Sequence, residues 1–311
     1  MFEERAVSIS LGSPSRDYRR VIQGEGFRLV LQRVGTGGSL KSAGYLMRHF
    51  DGNCAAIGLG GVNLAYWTGS GRYPLAEGQW LAAIARYTPV VDGSGIKKHW
   101  EPGIIGRLET EHGVRWRGSR VLVLSALDRW NLAAALEGVG ARLRVADPVV
   151  ALGLPLSFSS LSRFEILAGL TLPFLSWLPL GSLYPNARPA GRRGLFDVFR
   201  PRGHVRRLLE WAQVIAGDLH FLTKILPGPL AGKTVLTSGL EPEQARSLLQ
   251  QGAELVVSMD CTEQAGSMSA NMLEAACVAL AGRRLEELDA GARQDCFERL
   301  GLKACWWKAG T

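Results

Sequence analysis

Three things are missing from this sequence, and each absence removes a class of protein. Its five cysteines, Cys54, Cys261, Cys277, Cys296 and Cys305, form no CxxC pair and have no histidine at ligand spacing. That argues against a zinc site or a disulfide framework, and an odd number of scattered thiols suits a reducing cytoplasm. The first residues, MFEERAVSISLG, carry acids where an export signal needs bases, and they lack its apolar stretch. A cytoplasmic protein is expected. No spanning segment stands out either. The apolar run from Ile166 to Gly181 is sixteen residues without a charge, broken by Pro173 and Pro179. A transmembrane helix needs about twenty, so a buried helix pair or a lid is expected here, and a membrane partner is not.

What is present suits a two-domain globular chain. At 311 residues it exceeds one ordinary core. Hydrophobic residues at 47% and charged residues at 21% supply a sizeable interior. The net charge of +8 comes mostly from arginine, whose planar fork grips carboxylate or phosphate, so a small anionic metabolite is the expected partner. Strands are predicted over residues 6–11, 27–33, 55–58 and 89–91, and a hairpin over 64–74 turns at Thr68-Gly69-Ser70-Gly71. A helix is predicted over 39–50, with Ser39 as its N-cap. Residues 101–119 read as a connector. A second alternation follows, with strands at 121–124, 142–146, 214–216, 234–237 and 255–257 and helices at 130–136, 242–251 and 269–280. This is an α/β pattern: residues 1–118 as an N-terminal α/β domain, then residues 119–311 as a doubly wound Rossmann-like parallel sheet with an apolar and Arg-rich insertion at 157–210.

Ligands of doubly wound sheets lie at the carboxyl ends of strands, where strand order reverses. In the second half those ends carry Ser125, Asp128 and Arg129, then Asp147, then Asp218 and His220, then Thr237 and Ser238. Asp147 follows Ser125 by twenty-two residues, the spacing at which a dinucleotide-binding unit places its ribose-binding acid. The glycine fingerprint is absent, and Ser125-Ala-Leu-Asp-Arg129 stands in its place. Asp218 beside His220 is a natural proton-transfer pair. In the first half the strand ends carry Ser13, then Gly60 and Gly61, then Asp92-Gly93-Ser94-Gly95. The last is a glycine-rich helix start whose N–H groups suit an anion, with Lys97 close behind. The arginines from Arg188 to Arg207 have few aromatics between them and no RNA-binding module beside them. They read as a solvated loop, and nucleic acid is not an expected partner.

Segments spread over nearly the whole chain, among them VSISLGS (7–13), GLGGVNL (58–64), VLVLSALDR (121–129), ADPVVALGLPL (146–156), VIAGDLHF (214–221) and SANMLEAA (269–276), resemble a bacterial family commonly labelled quinate 5-dehydrogenase. The resemblance implies a Rossmann-type oxidoreductase that oxidises a hydroxyl of a cyclic hydroxy acid with NAD or NADP. It also implies a smaller N-terminal domain, a nucleotide-binding domain and a cleft between them. The N-V-T-x-P-x-K stretch of quinate and shikimate dehydrogenases is absent. The nearest substitutes are Lys97 for their lysine and Asp128 or Asp218 for its acid partner.

The leading expectation is therefore an NAD(P)-dependent oxidoreductase of a small hydroxy or oxo acid. Asp218, His220 and Lys97 would be catalytic. Ser125, Asp128, Arg129, Asp147, Thr237 and Ser238 would hold the cofactor, and Ser13, Gly60, Gly61, Asp92 and Ser94 the substrate. Two alternatives remain open: a lyase, isomerase or transferase handling an anionic metabolite, or a non-catalytic ligand-binding or partner-binding protein. The apolar insertion would suit a homodimer interface.

Overall fold

The computed structural model describes residues 2–177, 202–219, 221–222 and 230–310. The first sheet is built from β1 (Phe2–Ser10), β2 (Tyr18–Gly24), β3 (Phe27–Gly35), β4 (Ala56–Gly60) and β7 (Val90–Val91), in the order β2-β3-β1-β4-β7. All its pairings are parallel except that of β2 with β3. Between β4 and β7 lies a small antiparallel hairpin of β5 (Ala65–Trp67) and β6 (Arg72–Pro74). Helices α1 (Leu40–Phe50) and α2 (Ala76–Ala82) cover one face over Val7, Ile9, Met47, Ile57 and Leu81. Ser39 caps α1 through the Ser42 N–H, as the sequence implies. Helices α3 (Ser94–His99) and α4 (Glu101–His112) then lead into the second half.

The second sheet takes β8 (Arg120–Val123), β9 (Arg142–Val145), β10 (Val214–Ala216), β11 (Thr234–Thr237) and β12 (Leu255–Thr262), all parallel, in the order β12-β11-β10-β8-β9. Antiparallel strands β13 (Gly266–Ser267) and β14 (Leu302–Lys308) pair with β12. Its helices are α5 (Trp130–Gly138), α6 (Asp147–Leu152), α7 (Leu161–Leu175), α8 (Arg202–Trp211), α9 (Pro242–Gln250), α10 (Ala270–Ala281) and α11 (Ala290–Arg299). The chain leaves β8 toward β9 on one side and returns to β10 on the other, so strand order reverses between β8 and β10. In the first sheet it reverses between β1 and β4.

The two halves share one core. Helix α10 is buried along nearly its whole length, as a helix apolar on every side must be. It follows the second sheet but packs on β1 and β4 of the first, where Asn271 Nδ2 donates to Ser8 Oγ at 2.6 Å. Gly58 leaves room for it, since a Cβ there would meet the Asn271 carbonyl oxygen at 2.4 Å. The apolar segment starting at Ile166 departs from the expected burial. α7 buries Leu161, Phe164, Ala168 and Leu172 but exposes Ile166, Leu170 and Phe174, and Trp177 beyond its end is exposed too. From residue 178 the segment lies outside the described residues. No helix among the described residues is long and apolar enough to cross a membrane.

Candidate active site

The carboxyl ends of both sheets face a common layer of charge. Lys97, in the last turn of α3, places its Nζ 2.6 Å from Asp128 Oδ1 at the end of β8. Asn63, just past β4, donates Nδ2 to the same oxygen at 2.9 Å. Both members of the ion pair are nearly buried, with side chains 13% and 11% exposed. Burial alone would favour the neutral amine and the neutral acid. The mutual attraction wins: it raises Lys97 above its ordinary value and, with Arg129, pulls Asp128 down to about 2.

Arg129 lies one residue on and is buried at 3% exposure. It pairs with the fully buried Glu101 of α4, and its Nε and Nη2 stand 3.7 Å from Asp128 and 3.8 Å from Asp218. Three carboxylates therefore answer one guanidinium. Burial works against its charge, but these acids hold the proton firmly.

The glycine-rich loop read as an anion cradle and the Ser125–Arg129 loop are both filled by the chain itself. The Gly93 N–H donates to Glu274 of α10 at 2.6 Å. Gly93 has φ of 93° and its missing Cβ would strike the Asn271 amide nitrogen at 2.7 Å, so only glycine fits. Asp92 accepts from the N–H groups of Leu64 and Ser94 and so fixes the approach to Asn63. In the other loop, Asp147 accepts from the Ala126 N–H at 2.8 Å and the Leu127 N–H at 3.0 Å. Burial raises Asp147 to about 7 and Glu274 to about 8.

A third group lies between the sheets. Asp260 of β12 is fully buried, and its Oδ1 accepts from the Gly239 N–H at 2.8 Å and from Ser258 Oγ at 3.2 Å. Among the described residues its Oδ2 has no hydrogen-bond partner, and neither do Thr237 Oγ1, Ser238 Oγ, Tyr18 Oη, Glu101 Oε2 or Arg129 Nε. A buried polar atom left unpaired costs about 1–3 kcal/mol, so such a concentration asks for an explanation.

The structure therefore gathers Lys97, Asp128, Arg129 and Asp218 around one point, with Asp92 and Ser94 behind Lys97. Ser125, Asp147, Thr237 and Ser238 line the carboxyl ends of the second sheet. His220 lies outside the described residues. Gly60 and Gly61 sit at the reversal point of the first sheet, where a Cβ on Gly60 would meet Ser10 at 2.9 Å. Ser13 is exposed and caps a short turn through the Ser15 N–H. Arg16 and Arg33 converge there, their Nη2 atoms 2.7 and 2.8 Å from where a Gly12 Cβ would stand. Sequence reasoning assigned no role to Asn63, Glu101, Asp260 or Glu274. The last two did leave a signal: each is a lone acid inside an otherwise apolar strand or helix. A shallow open depression of about 470 Å³ lies elsewhere, lined by Glu3, Arg5, Arg19 and Asn53, and touches none of these residues. Among the described residues no group of three or more acids, histidines and cysteines could hold a metal ion.

The chain belongs to the family described as Domain of unknown function (DUF8754), which matches residues 95–305, and residues 5–92 match Domain of unknown function (DUF8753). No curated protein matches the sequence. Among solved structures it is similar to a hetero-hexameric glutamate dehydrogenase from Thermus thermophilus at 14% identity, over 96% of this chain and 73% of that one, with a TM-score of 0.43. An L-tryptophan dehydrogenase from Nostoc punctiforme is similar at 14% identity over 95% and 79%, with a TM-score of 0.33. A substrate-binding protein of a sugar ABC transport system from Bordetella parapertussis is similar at 12% over 92% and 81%, with a TM-score of 0.35. At these identities the likeness does not extend to function.

Proposed function

We propose that this chain is an enzyme that moves a proton at the oxygen of a small hydroxy or oxo acid, with Lys97 and Asp128 as its acid–base pair. The observation that carries this reading is the Lys97–Asp128 contact where the carboxyl ends of the two sheets meet. At rest the pair is a closed ion pair. A substrate oxygen entering between the two would take a hydrogen bond from the ammonium and expose its own proton to the carboxylate. In the direction that forms a hydroxyl, Lys97 gives its proton to the oxygen. Its raised affinity for that proton keeps it charged, and able to hydrogen-bond the oxygen, throughout the neutral range. The excess of carboxylates around Arg129 disfavours a substrate carboxylate at that end. At the turn of Gly12-Ser13, Arg33 is itself answered by Asp17 at 2.7 Å, and the exposed Arg16 beside it suits a carboxylate better.

The family resemblance adds NAD or NADP as hydride acceptor, which would make the chain a quinate-like or shikimate-like dehydrogenase. The residues present do not fit the diphosphate of a dinucleotide held in the usual way. Asp147 already takes the loop N–H groups, and Arg129 is answered by three acids. That observation favours a second reading, in which the same pair drives an elimination or isomerisation without redox chemistry.

Quinate, shikimate and simpler hydroxy acids, each supplied with NAD⁺ or NADP⁺, test the redox form through reduced-nicotinamide absorbance. NMR of the same acids without cofactor tests the other. Lys97→Met and Asp128→Asn each lower turnover about 10²–10⁴-fold, as loss of a general acid or base does. Turnover unchanged in both variants would remove the reading. If neither NAD(H) nor NADP(H) at saturation raises the melting temperature, the redox form is lost and the non-redox form stands.

A further inference from the structure

Beside the acid–base pair, the seam between the sheets holds buried polar atoms without a hydrogen-bond partner among the described residues. Thr237 and Ser238 end β11, and Asp260 lies on the neighbouring strand, where Thr237 pairs with Ser258 two residues before it. Strands stand about 4.8 Å apart and Ser258 Oγ donates to Asp260 at 3.2 Å, so Thr237 and Asp260 are near neighbours, while Ser238 precedes Gly239, whose N–H donates to Asp260 at 2.8 Å. Thr237 Oγ1, Ser238 Oγ and Asp260 Oδ2 have neither a hydrogen-bond partner among the described residues nor contact with solvent. Across the seam the Tyr18 hydroxyl of β2 is in the same condition, and it lies within electrostatic reach of Asp260. Asp260 is in turn within reach of Arg129 and Glu101, so this area adjoins the Lys97–Asp128 cluster without being part of it.

We propose that Asp260, Thr237, Ser238 and Tyr18 form a ligand subsite that receives an uncharged, hydroxyl-bearing part of a small molecule. The subsite rests on the reading of the seam as an active-site cleft. Three hydroxyls and one carboxyl can each give and accept a hydrogen bond, which matches the hydroxyls of a polyol. An anion is disfavoured, because Asp260 and Glu101 lie on this side and the Arg129 charge is already answered. Burial pushes the Asp260 carboxyl well above the usual range, and Glu101 adds to this, against the pull of the Gly239 N–H and of Arg129. With Oδ1 fixed on the Gly239 N–H, a proton on this carboxyl would sit on Oδ2, which has no hydrogen-bond partner among the described residues. The ligand enters when β2 parts from the β12–β13 hairpin. That seam is held by Arg20, which donates to the carbonyls of Ala265 and Ser267, and by the mutual hydrogen bonds of Gln23 and Gln264.

Titration calorimetry of the full chain with myo-inositol, quinate and sulfate tests this. Myo-inositol or quinate binds saturably and sulfate does not displace it. Thr237→Val with Ser238→Ala, and Asp260→Ala, each weaken binding about tenfold or more, the loss of one or two hydrogen bonds. Asp260→Asn keeps an acceptor for Gly239 and a donor toward the ligand, and stays within about threefold of wild type. No saturable heat from either polyol, binding unaffected by the substitutions, or an Asn variant as weak as the Ala variant overturns the proposal. A ligand-free measurement guards against misfolding: Thr237→Val keeps or raises the melting temperature, because an unpaired hydroxyl leaves the interior. A fall of several degrees shows that the hydroxyl has a structural partner and overturns the proposal as well. Binding without turnover of any hydroxy acid removes the acid–base reading but keeps the subsite. Turnover with binding indifferent to these substitutions does the reverse.

Discussion

Two loops of this protein follow strand ends in the same way and are held in different ways. The loops at residues 92–95 and 125–129 each leave a buried strand, open a helix and turn backbone N–H groups toward an acceptor. In both, the acceptor is a carboxyl group of the chain. Asp147 reaches its loop from twenty and twenty-one residues away, and Glu274 reaches its loop from 181 residues away. The local brace fixes one turn of one sheet. The distant brace comes from the helix that ties the two halves, so it fixes the loop that carries Lys97 relative to the rest of the molecule. An N–H cradle at a strand end is thus no proof of a phosphate site until the chain's own acids have been accounted for.

The largest expected effect comes from the loop's own end. Arg129→Met leaves Glu101 buried without its partner and lowers unfolding free energy by about 3–5 kcal/mol, read by urea denaturation. A loss below about 1 kcal/mol would mean that this ion pair does not hold the loop.

Removing the braces comes next and separates the two loops. Asp147→Ala strands two N–H groups and costs about 2–4 kcal/mol. It lowers the melting temperature equally with and without NAD⁺ if Asp147 is only a brace. If Asp147 also binds a ribose, NAD⁺ protects the wild type and not the variant. Glu274→Ala costs a similar amount but raises hydrogen exchange in both α3 and α10. Exchange confined to residues 92–95 would remove the distinction drawn here.

Titration sharpens the comparison further. Both acids bind a proton more tightly folded than unfolded: Asp147 goes from 3.8 to about 7 and Glu274 from 4.5 to about 8. Their contribution is complete below about pH 4 and is lost as pH rises through 7 and 8, with a slope of at most about 1.4 kcal/mol per pH unit for each group. Glu274→Gln, neutral at every pH, flattens the fall in melting temperature between pH 5 and 8. An unchanged slope would mean that Glu274 is ionised in the folded protein. The smallest effect is a control away from both loops: Ser39→Ala removes the cap of α1 and costs about 1 kcal/mol.

Much of the architecture is written locally. Short apolar runs such as Val214–Ala216 and Thr234–Thr237 coincide with β10 and β11, and the Thr68–Gly71 turn makes its hairpin. The antiparallel strand β2 escaped sequence reasoning, because Tyr18–Gly24 is an edge strand rich in arginine whose pattern resembles a polar loop. The candidate site was legible in part. Lys97 and Asp128 could be named as substitutes for a catalytic pair, but nothing in their spacing says that they touch.

The sequence by itself determined the α/β class, the strands at whose carboxyl ends chemistry can occur, and the acids and bases available there. Hydrophobic pattern and turn chemistry act over a few residues, so they can be read from neighbours. Packing sets which of those groups meet: Lys97 on Asp128, Arg129 on Glu101, Asp147 and Glu274 on backbone amides, and Asp260 Oδ2 on no hydrogen-bond partner among the described residues. Those choices depend on contacts between residues 20 to 181 positions apart. Only the packing of α10 and the two sheets into one core brings them within reach.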